Sequence, residues 1–409
     1  LLVAAEYGGE RVHPETARRR CVTPRGFAAT LHDMRNLISS LLLAVLIASP
    51  AVRADDPLVF ISAFASGDKG AIHAFQFDSK SGALKPLQRT TDIKNPFFLA
   101  ISPDQRFLYA IDAEKFGGAD DEFVSAYSIE GRTGALKRLN QQSARGTASC
   151  YLDVDATSRT VVVANYSSGS VASLPVQKDG SLGEAASFVQ HSGSGADPAR
   201  QKGPNAHSIV VSPDNRFALA ADLGIDKILI YHLDAATAKL TPNDAQPFVK
   251  MQPGSGPRHL TFHPDGRRVY VINELKNTVT FFDYASDAGT LTERQTISTL
   301  PADFTGKSYC ADLKITPDGR FLYGTNRGHD SIAVYRIADD GRLSLVTIQP
   351  SLGKGPQNLL ITPDGQWLLC ANMPGNSVIV FRIDPKTGEL KAAGDPVTMP
   401  MPSCIRWLK

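Results

Sequence analysis

The sequence predicts an all-β fold, a seven-bladed β-propeller, and three observations carry that prediction. A Pro-Asp turn recurs along the chain, a Gly-x-Leu turn recurs between its copies, and the chain ends are complementary pieces of one repeat.

The Pro-Asp turn stands at 102–107 (Ser-Pro-Asp-Gln-Arg-Phe), 212–217 (Ser-Pro-Asp-Asn-Arg-Phe) and 263–268 (His-Pro-Asp-Gly-Arg-Arg). It returns at 316–321 (Thr-Pro-Asp-Gly-Arg-Phe) and 362–367 (Thr-Pro-Asp-Gly-Gln-Trp), with a degenerate copy over 155–159. Pro and Asp suit the first half of a tight turn, and Gly or Asn tolerates the left-handed position that closes it. Short apolar runs flank each copy, such as Leu260-Thr261-Phe262 and Val269-Tyr270-Val271-Ile272, so each copy reads as a hairpin. The second marker places leucines at 84, 136, 182, 240, 291, 343 and 390, with Ala238 replacing the turn glycine once. Seven units of about fifty residues, each with four short strands, are propeller blades.

The ends agree. Leu58-Val59-Phe60-Ile61-Ser62 resembles a second strand, whereas Pro402-Ser403-Cys404-Ile405-Arg406-Trp407 resembles a first strand. The C-terminal strand is therefore expected to complete the blade that the N-terminal strand begins, which removes free sheet edges. One propeller domain is expected over 55–409. Upstream, Met34-Arg35-Asn36 precedes an apolar run from Leu37 to Ala48 and small residues near Ala54. That pattern predicts a secretory signal peptide over 34–54, with 1–33 a non-native upstream extension, and hence an exported, periplasmic protein.

Composition excludes several classes. Lys and Arg number 43 against 41 Asp and Glu, and no long block of like charge appears. Neither a nucleic-acid partner nor, after signal cleavage, a membrane is expected. Cys150, Cys310, Cys370 and Cys404 lie scattered without metal-ligand spacing, and read as small buried hydrophobes. Whether Cys370 and Cys404 are bonded is left open.

Repeats let the sequence serve as its own alignment. Nine residues after each turn proline stands Asp112, Asp222, Asn273, Asn326 or Asn372, with Asn165 in the degenerate copy. Such uniformity predicts a structural role, accepting turn N–H groups. The next position varies: Ala113, Tyr166, Leu223, Glu274, Arg327, Met373. So does the position six before the proline: Phe97, Cys150, His207, Arg258, Ala311, Gln357, then Ser403. The first strand of a blade lines the channel, and its start adjoins the end of the antiparallel second strand. His207, Arg258, Glu274 and Arg327 are therefore predicted to converge on one channel mouth, where the repeat does not demand charge. Strand alternation turns His259 away from Arg258, towards packing or support.

The same residues carry a resemblance. Gly203-Pro204-Asn205-Ala206-His207-Ser208, Gly256-Pro257-Arg258-His259-Leu260, Asn273-Glu274-Leu275, Asn326-Arg327-Gly328-His329-Asp330 and Gly355-Pro356-Gln357-Asn358 are similar to motifs of the propeller-type 6-phosphogluconolactonases. Those enzymes are related to the fungal carboxy-cis,cis-muconate lactonizing enzymes. The resemblance implies His207, Arg258, Glu274 and Arg327 as catalytic residues and a small-molecule lactone as substrate. His259, Gln357 and Asn358 are the candidate substrate-binding residues, and no cofactor or metal is expected. Lactone hydrolysis needs a base for water and a stabiliser for the oxyanion. His207 or Glu274 could be the base, with His207 favoured for its intrinsic pKa. Replacing His207 or Arg258 with alanine is expected to abolish hydrolysis with little change in melting temperature. A ligand-binding propeller without catalysis and a lactonizing cyclase are the alternatives.

Overall fold

The computed structural model describes residues 57–409; the expected extension over 1–33 and signal over 34–54 lie outside the described residues. Those residues form seven antiparallel sheets, and the chain visits them in order. The first sheet joins Leu58–Ala63 to Pro402–Leu408, with Ile61 opposite Ile405, so the two termini share a blade as the sequence predicts. The innermost strands are Leu99–Ile101, Ser149–Val154, Ala206–Val211, Pro257–Phe262, Tyr309–Ile315, Pro356–Ile361 and Pro402–Leu408. Each packs against the next, and the last packs against the first, which closes the ring.

The predicted turns have the predicted chemistry. Gln105, Asn215, Gly266, Gly319 and Gly365 all adopt positive φ, between 60 and 75°, at the position that closes the Pro-Asp turn. The Asp104 carboxylate accepts hydrogen bonds from Ser102 Oγ (2.6 Å) and Arg106 N (3.2 Å), and Ser102 Oγ in turn accepts Phe107 N. Glycine in the Gly-x-Leu turn has a second reason beyond its φ of 87° at Gly180. A Cβ there would stand 2.1 Å from the Phe107 ring of the preceding blade.

Tyrosines tie blades together at this side of the disc. Tyr109, Tyr270 and Tyr323 donate their hydroxyls to Gly180, Gly341 and Gly388 of the following blade. Apolar clusters likewise straddle blade pairs: Phe75 and Phe77 of the first blade pack with Trp367 and Leu369 of the last. Burial between sheets supplies the driving force, roughly 25 cal/mol per Å² of apolar surface removed from water.

Two blades depart from four strands. Their outer strand is split, into Lys239–Pro242 and Phe248–Lys250, and into Leu390–Ala392 and Val397–Thr398. Pro242 and Pro247 bracket the first break and Pro396 lies in the second, and proline lacks the N–H that a ladder requires. All four described cysteines are buried and free, so Cys370 and Cys404 are not bonded.

The uniform Asp/Asn position is structural, though its bonding splits by residue type. Asp222 accepts from Asn205 N (2.7 Å) and Gly224 N (2.9 Å), as expected of a turn acceptor. Asn165, Asn326 and Asn372 instead donate through Nδ2 to the carbonyls of Ala144, Thr299 and Ser351. An amide satisfies a carbonyl where a carboxylate would repel it.

Candidate active site

Six of the seven inner strands carry a register shift against their second strand at the same end. The residues passed over are Cys150, His207, Arg258 and Gln357, with Ala311-Asp312 and Ser403 in the remaining two strands. A β-bulge re-aims the side chain it carries and interrupts alternation. That device re-aims the variable first-strand position in six blades; the strand after Phe97 carries no such shift.

Glu274 is the hub. Its Oε1 accepts from Arg200 Nη2 (2.7 Å), while Oε2 accepts from Arg258 Nε (3.0 Å) and Arg327 Nη2 (2.8 Å). Burial alone would raise its pKa, but Arg327, Arg258 and Arg200 outweigh burial and hold it down at about 2. Arg258 is 1% exposed and also donates to the Ala311 carbonyl and His259 Nε2. Burial, reinforced by Arg327, lowers its pKa to about 10, so it remains charged near neutrality. The Arg327 side chain is 12% exposed, and its Nε is buried without a hydrogen-bond partner. Three guanidinium groups against one carboxylate leave this half of the mouth positive.

His207 stands beside that cluster, its ring edge-to-face with Tyr166 at 5.1 Å and with His259 at 5.5 Å. Its Nδ1 lies 3.5 Å from Cys150 Sγ, and Nε2 bonds to no described residue. Burial, then the positive charge of Arg258, push its pKa well below 6.5, so the imidazole is neutral near pH 7. Burial also pushes the Cys150 thiol far above its ordinary pKa, which makes it a poor nucleophile.

One layer deeper the channel is blocked. Phe98, Tyr151 and His259 meet there, with ring centroids 4.3, 5.0 and 6.0 Å apart. The mouth is thus a cup with a floor. His259 Nδ1 bonds to Asp312 Oδ1 at 2.9 Å, and burial and Arg258 lower its pKa to about 3. The Asp312 carboxylate also receives Lys314 Nζ, Asn358 Nδ2 (2.7 Å) and Leu359 N.

The structure brings His207, Arg258, Glu274 and Arg327 together on one side of the disc. Gln357 joins them through Arg327, Nη1 to Oε1 at 3.5 Å. Two of the expected substrate-binding residues are also bonded within the protein. Both ring nitrogens of His259 are engaged, and Asn358 bridges Asp312 and the Ile405 N–H, so they build floor and wall. His259 nevertheless faces the channel, contrary to strict alternation, because the bulge at Arg258 breaks that alternation. Arg258 and Glu274 form a buried pair rather than a surface bridge. Comparing repeats missed Arg200, which lies in the irregular loop between Ser192 and Lys202, outside the template. Asp312 was readable as the one acid in an otherwise mostly apolar inner strand.

A closed seven-bladed propeller with a cationic cluster at one channel mouth fits a propeller of the lactonase class. The comparisons agree: residues 58–407 match the family described as Lactonase, 7-bladed beta-propeller, and the chain belongs to that family. It is 35% identical over 351 residues to the 6-phosphogluconolactonase of Bacillus subtilis, covering 85% of this chain and 97% of that protein. It is 32% identical to the 6-phosphogluconolactonase of Formosa agariphila, covering 73% and 85%. Among solved structures, the periplasmic gluconolactonase of Pseudomonas aeruginosa superposes with a TM-score of 0.81 at 32% identity, covering 86% and 99%.

Proposed function

We propose that this chain hydrolyses a sugar-derived lactone of the 6-phosphogluconolactone or gluconolactone type in the cup at the channel mouth. The observation that carries the reading is the neutral, open Nε2 of His207 beside three arginines organised by one carboxylate. Family membership and the names of the relatives support the reaction type.

In this reading His207 Nε2 takes a proton from water as the water oxygen bonds to the acyl carbon. The carbonyl electron pair moves to oxygen, and the oxyanion rests against the partly exposed Arg327 guanidinium. When the tetrahedral intermediate collapses, the ring C–O bond breaks and the imidazolium returns its proton to the leaving alkoxide. The product is the open hydroxy acid. Glu274 holds Arg258 and Arg327 in place; at a pKa of about 2 it is too weak a base for water. Export to an oxidising compartment belongs to the same proposal, and the likeness to a periplasmic gluconolactonase supports it.

The test is turnover of glucono-δ-lactone and its 6-phosphate by wild type, His207→Ala and Cys150→Ala. General-base loss should lower kcat by roughly 10²–10⁴-fold in His207→Ala. Cys150→Ala should stay within a few-fold of wild type. Near-normal turnover in His207→Ala, or loss in Cys150→Ala, would transfer the chemistry to another group.

A further inference from the structure

The cup has a second half that the proposed reaction does not use. Phe64 N donates to Met401 O, as Glu274 N donates to Gly256 O and Met373 N to Gly355 O, so Phe64 occupies the repeat position of Glu274. Phe97 occupies that of Arg258. Around the ring, the strand after Phe97 lies three steps from the Arg258 strand in one direction and four in the other. Phe97 therefore stands across the channel from the arginine cluster. The next residues inward, Phe98 and His259, confirm how narrow the crossing is, at 6.0 Å between centroids.

Phe64, Phe97 and Phe116 form a mutual cluster with centroids 4.9–5.1 Å apart. Phe97 is buried, whereas Phe64 and Phe116 are partly exposed. The equivalent positions of the adjoining blades add Ala113 and Met373, while the charged Glu114 and Lys115 that precede Phe116 are exposed and Lys94 pairs with Glu114. Ser403, the nearest polar member of the ring, is engaged with Ser62 Oγ (2.9 Å) and the Pro96 carbonyl. The three rings themselves offer a hydroxyl no hydrogen-bond partner, whereas C–H groups placed against them gain aromatic contact.

We propose that the Phe64–Phe97–Phe116 wall is a specificity subsite for the C–H-rich part of a lactone, so that the cup accepts lactones bearing an apolar substituent. This rests on the reading of the opposite half as the acyl-transfer site. The pairing is amphiphilic: oxygen atoms meet guanidinium groups on one side, and hydrocarbon meets phenyl rings on the other.

Two measurements test it. In the first, KM is compared for δ-decalactone and δ-valerolactone. Wild type should show a KM at least five-fold lower for δ-decalactone, and Phe116→Ala should bring the ratio towards one. Phe64→Ala is a second variant, since both rings are partly exposed and outside the main core. The second is calorimetric binding of 3-phenylpropionate against propionate, which needs no turnover. Tighter binding of 3-phenylpropionate by at least five-fold, lost in Phe116→Ala, supports the subsite even where no lactone is hydrolysed; that result would sink only the catalytic reading. Equal KM values together with equal binding would overturn the subsite while leaving hydrolysis intact.

Discussion

The two faces of this disc follow different rules. On the face bearing the Pro-Asp turns, one solution repeats: a Ser or Thr hydroxyl, an Asp carboxylate and a left-handed closing residue recur from blade to blade. On the opposite face, equivalent positions hold Phe, Cys, His, Arg, Ala, Gln and Ser. Uniformity marks what every blade needs in order to close; divergence marks what only one ligand needs. The bulges connect the two, because one backbone device recurs in six blades while the side chain it aims is free to differ.

That contrast can be broken most forcefully at Glu274. Glu274→Ala leaves three guanidinium groups facing one another in a buried site, and breaking such a pair typically costs about 3–5 kcal/mol. Activity and melting temperature should fall together. Arg258→Ala should behave alike, which corrects the expectation of an unchanged melting temperature: Arg258 is wholly buried and leaves the Ala311 carbonyl and Glu274 short of a donor. A Glu274→Ala protein as stable as wild type, measured by urea unfolding, would contradict the buried network.

A smaller effect should appear on the other face. Removing the turn carboxylate in Asp318→Ala loses its bonds to Thr316 Oγ1 and Arg320 N, worth about 1 kcal/mol, with kcat/KM unchanged. Loss of activity without loss of stability there would place chemistry on the wrong side of the disc.

The smallest signal is in pH. His207 must be neutral to accept a proton, and its pKa in the fold lies well below 6.5. Lowering pH through 6.5 therefore should not switch it off, and the acid limb of kcat/KM should appear well below 6.5. Stability runs the opposite way. The fold binds fewer protons than the unfolded chain at His207 and His259, so it loses stability as pH drops below 6.5. A limb centred at 6.5 would mean a solvated histidine.

Most of the fold was legible because a propeller is written seven times over. Turn positions, blade count and the shared terminal blade all follow from repetition and turn chemistry. The mouth was legible for the same reason: His207, Arg258, Glu274 and Arg327 stand out against their equivalents. What escaped is what lies outside the repeat or bends it. Arg200 belongs to a loop with no counterpart, and the bulge that turns both Arg258 and His259 into the channel leaves no trace in residue spacing. Asn358 is expected at the ligand on its motif, and its bonds to Asp312 and Ile405 N, which no spacing reveals, tie it into the wall.

The cup as the place where a lactone is opened is tested most directly by a crystal structure with gluconate bound. The account predicts the product carboxylate on Arg327 and one oxygen within hydrogen-bond reach of His207 Nε2. Gluconate ordered at the Pro-Asp face, or in a groove between blades with the cup holding only water, would contradict it.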